Sequence, residues 1–250
     1  MLHKRAVKRA LRQIGLFPLA RATFRRLSPS HRRERQFNTR FFGSIVRRGD
    51  LCFDVGANLG QTSEVLAGLN AKVVAVEPNP LCHPVLDFHF RANPNVRIVS
   101  KAVGGAAGNA TLHFHGTDST ASMRDDWPHG NDQATAVEVT TLDALIEQFG
   151  VPAFLKVDVE GFEVEVFKGL HHPVRSIYFE MHAAEAGRAR EILRLLSDIG
   201  PIEGVNAVSG DNSRWLLGDW VRPEAFLGLL GKAAVRHANV VVRMTCPQRS

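Results

Sequence analysis

The sequence predicts an α/β domain built on a mostly parallel sheet, and three stretches carry that expectation. Leu51, Phe53 and Val55 read as a buried strand, which runs into a loop spaced by Gly56 and Gly60 and then a helical pattern opening at Gln61. A second β-branched run, Val73 to Val76, follows one helix later and ends at Glu77-Pro78-Asn79, the spacing of a βαβ unit. Residues 154–160 alternate as a strand does, bring Asp158 and Glu160 to its end and turn at Gly161. Parallel neighbours need a crossover, so residues 162–168 are expected to be helical although Phe162, Val164 and Val166 also alternate.

At 250 residues the chain can bury one large α/β core, alone or with an extension. Cys52, Cys82 and Cys246 are widely separated and show no metal-ligand spacing, so free thiols in a reducing compartment are expected. No stretch approaches the ~20 apolar residues that span a bilayer. Charge divides the chain. Residues 1–50 hold 14 Lys and Arg against Glu34 and Asp50, a balance of +12, whereas the other 200 residues hold 17 basic and 23 acidic residues, a balance of −6. The expected organisation is a basic helical extension over 1–48 and a catalytic domain over 49–250.

Taken in order, residues 1–28 place Leu11, Ile14, Leu16, Leu19 and Phe24 on one face of interrupted helices, with Pro18 as the break. Such an arm either caps the domain or meets an anionic surface such as phospholipid headgroups. No recognition motif accompanies the charge, so no nucleic-acid partner is expected. The expected location is cytoplasmic, with peripheral membrane contact through the arm as the alternative. A helix should begin near Leu81, a third strand cover Val96 to Val99, and a loop follow from Ser100 to Gly105. Residues 110–115 and 136–140 alternate and should add antiparallel strands around a long exposed loop, 116–135. Thr141 should start a helix with Asp143 in its first turn and Gly150 past its end. A fifth strand, Ile177 to His182, ends in an acid and a histidine. A helix over 184–199 is stopped by Gly200-Pro201, and strands at Ile202 to Val208, Trp215 to Leu217 and Asn239 to Met244 flank a helix over 223–235.

The chemistry gathers at strand ends, where open α/β sheets bind ligands. Asp-x-Gly-x-x-x-Gly lacks the third glycine of a dinucleotide loop, since position 58 is Asn, and no Walker lysine follows. The pattern fits a nucleoside cofactor without a pyrophosphate, of which S-adenosylmethionine is the obvious case. Gly56 and Gly60 would let a ligand approach the turn, and Gln61 and Thr62 open a helix whose N–H groups can face polar ligand atoms. Glu77 can accept both hydroxyls of a ribose. A nicotinamide oxidoreductase is the other enzyme class weighed. It would need a Tyr/Lys pair, but Tyr178 is the only tyrosine and no lysine stands four residues on.

Asp54-Val55-Gly56-Ala57-Asn58-Leu59-Gly60, Glu77-Pro78-Asn79, Lys101-Ala102-Val103-Gly104 and Leu155-Lys156-Val157-Asp158-Val159-Glu160-Gly161 occur in one order. Over residues 40–185 the chain thereby resembles the FkbM family of S-adenosylmethionine-dependent methyltransferases. The resemblance implies the Rossmann-like class I methyltransferase sheet, with seven strands and the last one antiparallel. It implies methylation of a hydroxyl on a sugar or natural product, so a small-molecule or glycan acceptor is expected. Carried over, Asp54, Gly56, Asn58 and Gly60 surround the methionine part of the cofactor. Glu77, followed by Pro78, holds the ribose, Lys101 and Ala102 border the adenine, and Asp158 sits near the transferred methyl. An alcohol is a poor nucleophile at neutral pH, so a base or metal must help remove its proton. Asp158, Glu160 and His182 are the candidate catalytic residues, His182 because histidine titrates near neutrality. A divalent metal gathered by Asp158, Glu160 and Glu180 is the alternative activation.

Overall fold

Alternation along each central strand builds an apolar layer on both faces of one sheet. The structure, a computed structural model, describes residues 7, 10, 11, 13, 15–114, 121–124, 133–182, 186–230 and 237–246. The chain opens with helices α1 (Phe17–Leu27) and α2 (Pro29–Gly43), then strand β1 (Leu51–Val55), α3 (Gln61–Gly68), β2 (Lys72–Val76), α4 (His83–Phe90) and β3 (Val96–Val99). Four shorter-range strands follow: β4 (Ala102–Val103), β5 (Gly108–Phe114), β6 (Ala121–Ser122) and β7 (Gln133–Thr140). The remainder is α5 (Leu142–Phe149), β8 (Phe154–Val157), α6 (Glu163–Lys168), β9 (Ser176–His182), α7 (Ala186–Ile199), β10 (Ile202–Ser209), α8 (Pro223–Leu229) and β11 (His237–Met244).

Seven strands form the main sheet in the order β10-β11-β9-β8-β1-β2-β3, and β11 alone runs antiparallel to its neighbours. This is the class I methyltransferase arrangement. Its two faces bury different side chains of the same strands. Phe53, Val55, Leu155, Val157, Ile177 and Phe179 pack under α5, α6, α7 and α8. Cys52, Val73, Phe154, Tyr178 and Val241 pack under α2, α3 and α4. With both faces covered, a central strand such as β8 reads as continuously buried. A second sheet, β4-β7-β5-β6, stands beside the carboxyl ends of β1 and β2 with a small core of Ala102, Leu112, Val137 and Val139.

Helix α2 is joined to this core. Phe41 and Phe42 are buried, and Phe42 meets the rings of Phe154 and Tyr178 at 5.6 and 5.8 Å between centroids. Cys52 and Cys82 are buried free thiols, and Cys246 is partly covered.

Several local expectations change. Pro18 does not break a helix; it lies in the first turn of α1, where its missing N–H costs nothing, and the interruption falls at residues 15 and 16. Within the expected loop 100–105, Ala102 and Val103 pair in parallel with Val139 and Thr140. The expected loop 116–135 carries β6, while residues 116–120 and 125–132 lie outside the described residues. Trp215 to Leu217 is no strand and keeps only a bridge between Val208 and Trp215. There the Asn206 amide reaches the carbonyls of Leu217 and Asp219, each at 3.3 Å, so a side chain takes bonds that a ladder would use. The helix expected over 223–235 is described only to Leu229, and 231–236 lie outside the described residues.

If α2 belongs to the folding unit, Phe42→Ala should cost about 3–5 kcal/mol of stability, the usual range for emptying a buried aromatic site. Urea unfolding of the full chain measures it. A cost under about 1 kcal/mol would mean that α2 only leans on a finished domain.

Candidate active site

Asp54 and Lys156 face one another across the β1–β8 pair, in register, near the carboxyl ends of both strands. Both are buried. Lys156 Nζ lies 3.4 Å from Asp54 Oδ1 and 3.1 Å from Asp158 Oδ2, and also 3.5 Å from the carbonyl oxygen of Gly56. The Ser63 hydroxyl donates to Asp54 Oδ2 at 2.6 Å. Burial alone would drive the ammonium toward neutrality, but Asp158, then Asp54, outweigh it and hold its pKa above the ordinary lysine range. The lysine therefore locks the glycine loop after β1 to the acidic turn after β8.

The two loop glycines are required by the chain itself. Gly56 has φ +79°, and a Cβ there would stand 1.8 Å from the backbone oxygen of Asp158. Gly60 has φ +81°, and its Cβ would meet the Phe90 ring at 2.8 Å. To the sequence reading, in which a side chain would block a ligand, the structure adds a nearer reason: a side chain would first collide with the neighbouring turn and with α4. Asn58 takes the left-handed region at φ +51°, which asparagine tolerates.

Glu77 closes the other side. Its carboxylate accepts N–H bonds from Asn58 at 2.7 Å and Asn79 at 2.8 Å. Burial pushes its carboxyl up to about 7, against the lowering effect of those two bonds. After β8, Glu160 sits at φ +56°, a strained setting for a glutamate. Burial, then the charges of Asp158, Glu180 and Glu163, push its carboxyl up to about 8. Glu163 fixes this turn by accepting from the N–H groups of Val159 and Gly161 at 3.1 and 3.0 Å.

Two clefts meet here. The first holds about 590 Å³ of space open to solvent, between the ends of β1, β2 and β8 and the second sheet. Glu77, Pro78, Lys101, Ala102 and Glu160 line it, with Leu112 and Met123 as apolar walls. The second, of about 1180 Å³, is polar and takes Gln61, Thr62, Lys156 and Tyr178 from the sheet side and Glu34, Asn38 and Asn212 from the flanks. Gly56, Asn58 and Asp158 line both. Asp54 lies beneath them, and Gly60 caps α3 without lining either. Lys101 pairs with Glu138 at the rim. The backbone of His182 ends β9 opposite His237, and its side chain lies outside the described residues. Among the described residues no three His, Cys, Asp or Glu side chains are arranged to hold a metal ion, so Asp158, Glu160 and Glu180 are not gathered as the metal alternative would require.

Sequence reasoning missed Lys156, and it missed the chain in which Tyr178 donates to Asn212 at 3.1 Å while Asn212 donates to Asn38 at 2.8 Å. Lys156 had a signal: it is the one charge inside Phe154-Leu155-Lys156-Val157, and a lysine in a central strand needs buried anions. Asn38 and Asn212 stand 174 residues apart, with no local pattern to join them.

The raised carboxyls set a pH dependence. Glu77 and Glu160 hold protons in the folded chain that the unfolded chain, with pKa 4.5, has released. Their contribution to stability is full below pH 4.5 and is lost as pH rises through about 7 and about 8. Without ligand, the melting temperature should fall between pH 5 and pH 9, and Glu160→Gln should raise stability at the alkaline end by about 1–3 kcal/mol. A flat profile in the parent would show that neither carboxyl is perturbed.

Comparison with known proteins identifies the family. Residues 54–200 match the Methyltransferase FkbM domain. The hexuronic acid methyltransferase AglP of Haloferax volcanii is 28% identical over 152 residues, which is 60% of this chain and 62% of the relative, so the chain spans less than two thirds of that relative's length. Among solved structures, the precorrin-6y C5,15-methyltransferase of Geobacter metallireducens has a TM-score of 0.43 at 12% identity, covering 84% of this chain and 87% of that one. Aeropyrum pernix fibrillarin, solved with natively bound S-adenosyl-L-methionine, has a TM-score of 0.42 at 14% identity, covering 79% of this chain and 68% of that one. The expected absence of a nucleic-acid partner gains no support from these comparisons. Because the matched domain takes in more than half of the chain, from Asp54 through the acidic turn to the end of α7, this protein belongs to the FkbM methyltransferase family.

Proposed function

We propose that the protein transfers a methyl group from S-adenosylmethionine to a hydroxyl of a sugar-like acceptor. The observation that carries this reading is the meeting of an apolar-walled cleft and a polar cleft at Gly56, Asn58 and Asp158. The residues present fit the cofactor. A buried carboxylate has two N–H bonds on its two oxygens, and each oxygen has a second lone pair for a ribose hydroxyl. Ala102, Val76 and Leu112 offer a purine its apolar flanks, and Gln61 and Thr62 at the start of α3 offer N–H groups to a carboxylate. When bound, S-adenosylmethionine would supply an electrophilic methyl on a positively charged sulfur.

This chain's own part is alignment and proton removal. Asp158, with Oδ2 turned to Lys156, can accept a hydrogen bond from the acceptor hydroxyl at its other oxygen and hold it in line. Glu160 lies in the same turn, and a carboxyl raised to about 8 is matched to taking a hydroxyl proton near neutrality. His182 is the alternative proton acceptor. The asparagines and tyrosine of the second cleft supply donors and acceptors suited to a polyhydroxyl compound. A named relative that methylates a hexuronic acid supports the acceptor class.

The test combines calorimetry with labelled methyl transfer to sugar acceptors. Glu77→Ala should weaken S-adenosylmethionine binding by about 1–3 kcal/mol. Asp158→Asn should keep that binding and lose turnover by about 100-fold or more. Parental turnover should rise with pH through about 8, and Glu160→Gln should remove that limb. A chelated sample reports whether a divalent cation takes part. NAD binding as tight as that of S-adenosylmethionine, or full turnover by Asp158→Asn, would overturn the reading.

A further inference from the structure

Helix α1 is apolar over more of its surface than the fold covers. Phe17 and Pro18 are buried against the domain. At 100° per residue, Leu19, Leu16, Leu27 and Phe24 fall within one arc that starts beside Phe17 and turns away from Pro18, with Ala20 and Thr23 between them. These four side chains are 53%, 48%, 66% and 58% exposed, in that order. Every large hydrophobic side chain strongly exposed among the described residues lies in the first 27 positions, Val7 being the fifth. Aliphatic surface this concentrated marks a contact, whereas single exposed leucines mark nothing.

Charge identifies the contact. Residues 1–28 contain eight Lys and Arg and no Asp or Glu. Beside the stripe, a groove shared by α1, α2, α3 and α4 is lined by Leu19, His31, Arg32 and His89, and by Arg35, which pairs with Glu64 of the same wall at 3.3 Å. An apolar stripe, flanked by cations and adjoining a basic groove, needs a partner that is oily and anionic within one side chain's reach. A bilayer surface of anionic phospholipid has that layering, with phosphates above and acyl chains below. A phosphate backbone in nucleic acid would answer the cations but leave Leu16, Leu19 and Leu27 in water.

We propose that α1 is a docking surface for an anionic phospholipid membrane, lying in the interface plane. No described helix is long and apolar enough to cross a membrane, so the contact is peripheral for the described residues. The inference does not depend on the reaction proposed above.

The test sediments the full chain with phosphatidylglycerol vesicles and with phosphatidylcholine vesicles, at low and high salt. The parent should bind the anionic vesicles at low salt and weaken on adding salt. Leu19→Ser/Phe24→Ser/Leu27→Ser should lose binding by about tenfold or more while its melting temperature stays at the parental value, since these side chains are exposed. Should that variant melt early, Leu27→Glu alone, at the most exposed position, must show the same loss. A parent that ignores anionic vesicles at low salt overturns the proposal. So does a well-folded variant that binds them as the parent does. Retention on RNA without vesicle binding, indifferent to the apolar substitutions, would assign the arm to nucleic acid instead and equally overturn it.

Discussion

A buried ammonium between two carboxylates is the constraint on which the rest of this protein depends. Lys156 stands near the carboxyl end of the central strand pair, and neither Asp54 nor Lys156 could remain there alone, because an uncompensated buried charge costs several kcal/mol. Pairing makes the burial tolerable, and its geometry has consequences beyond tolerance. One Nζ reaches Asp54 on β1, the carbonyl of Gly56 beyond it and Asp158 beyond β8. The two turns that form the floor of both clefts are thereby fixed relative to each other by a single side chain. Ion pairs in such a position are weak devices for stability and strong ones for geometry.

The same economy governs the loops. The close approach at Gly56 is between two pieces of backbone, so the glycine keeps the β1 and β8 turns in contact and only indirectly shapes a binding surface. Positive φ at Asn58, Glu160 and Gly161 bends both turns sharply. Glu77 holds the first through the Asn58 N–H, and Glu163 holds the second through Val159 and Gly161. The carboxyls of Glu77 and Glu163 that hold these turns are themselves buried, and burial is why they, like Glu160 beside them, have raised pKa values.

The parallel half of the sheet was legible because its strands are short apolar runs with glycines or acids at their ends, a pattern imposed by burial on both faces. Asp54, Glu77 and Asp158 could be read as a set for the same reason: successive parallel strands deliver their ends to one edge. The second sheet was half legible, since β5 and β7 alternate, but the two residues of β4 are too few for any period to show. Trp215 to Leu217 misled because aromatic and aliphatic residues favour strands, whereas here the Asn206 side chain takes the Leu217 carbonyl and the rings of Trp215 and Trp220 pack on each other 5.4 Å apart. Lys156 was passed over as an ordinary member of an alternating run. The Tyr178–Asn212–Asn38 chain had no sequence signal, because it joins three distant segments through uncharged groups.

That chain also joins residues inside the matched domain to residues on either side of it. Every residue lining the first cleft, from Val55 to Glu160, lies inside the matched domain of residues 54–200. The second cleft is different. Its sheet-side wall is inside the match, but Glu34 and Asn38 on α2 precede it and Gly210, Asp211 and Asn212 follow it. A cofactor common to a family calls for a common pocket, while acceptors that differ must be read by parts that differ. The flanks meet over the central strands and are held there by Asn212, which donates to Asn38 and accepts from Tyr178. Tyr178 stands next to Lys156 in the same cross-strand row. The segments that would recognise the acceptor are thus anchored, through one tyrosine, beside the ion pair that fixes Asp158. If the second cleft takes the acceptor as proposed, α2 and the turn after β10 are the parts that would set its choice, and a change in either would leave the first cleft untouched.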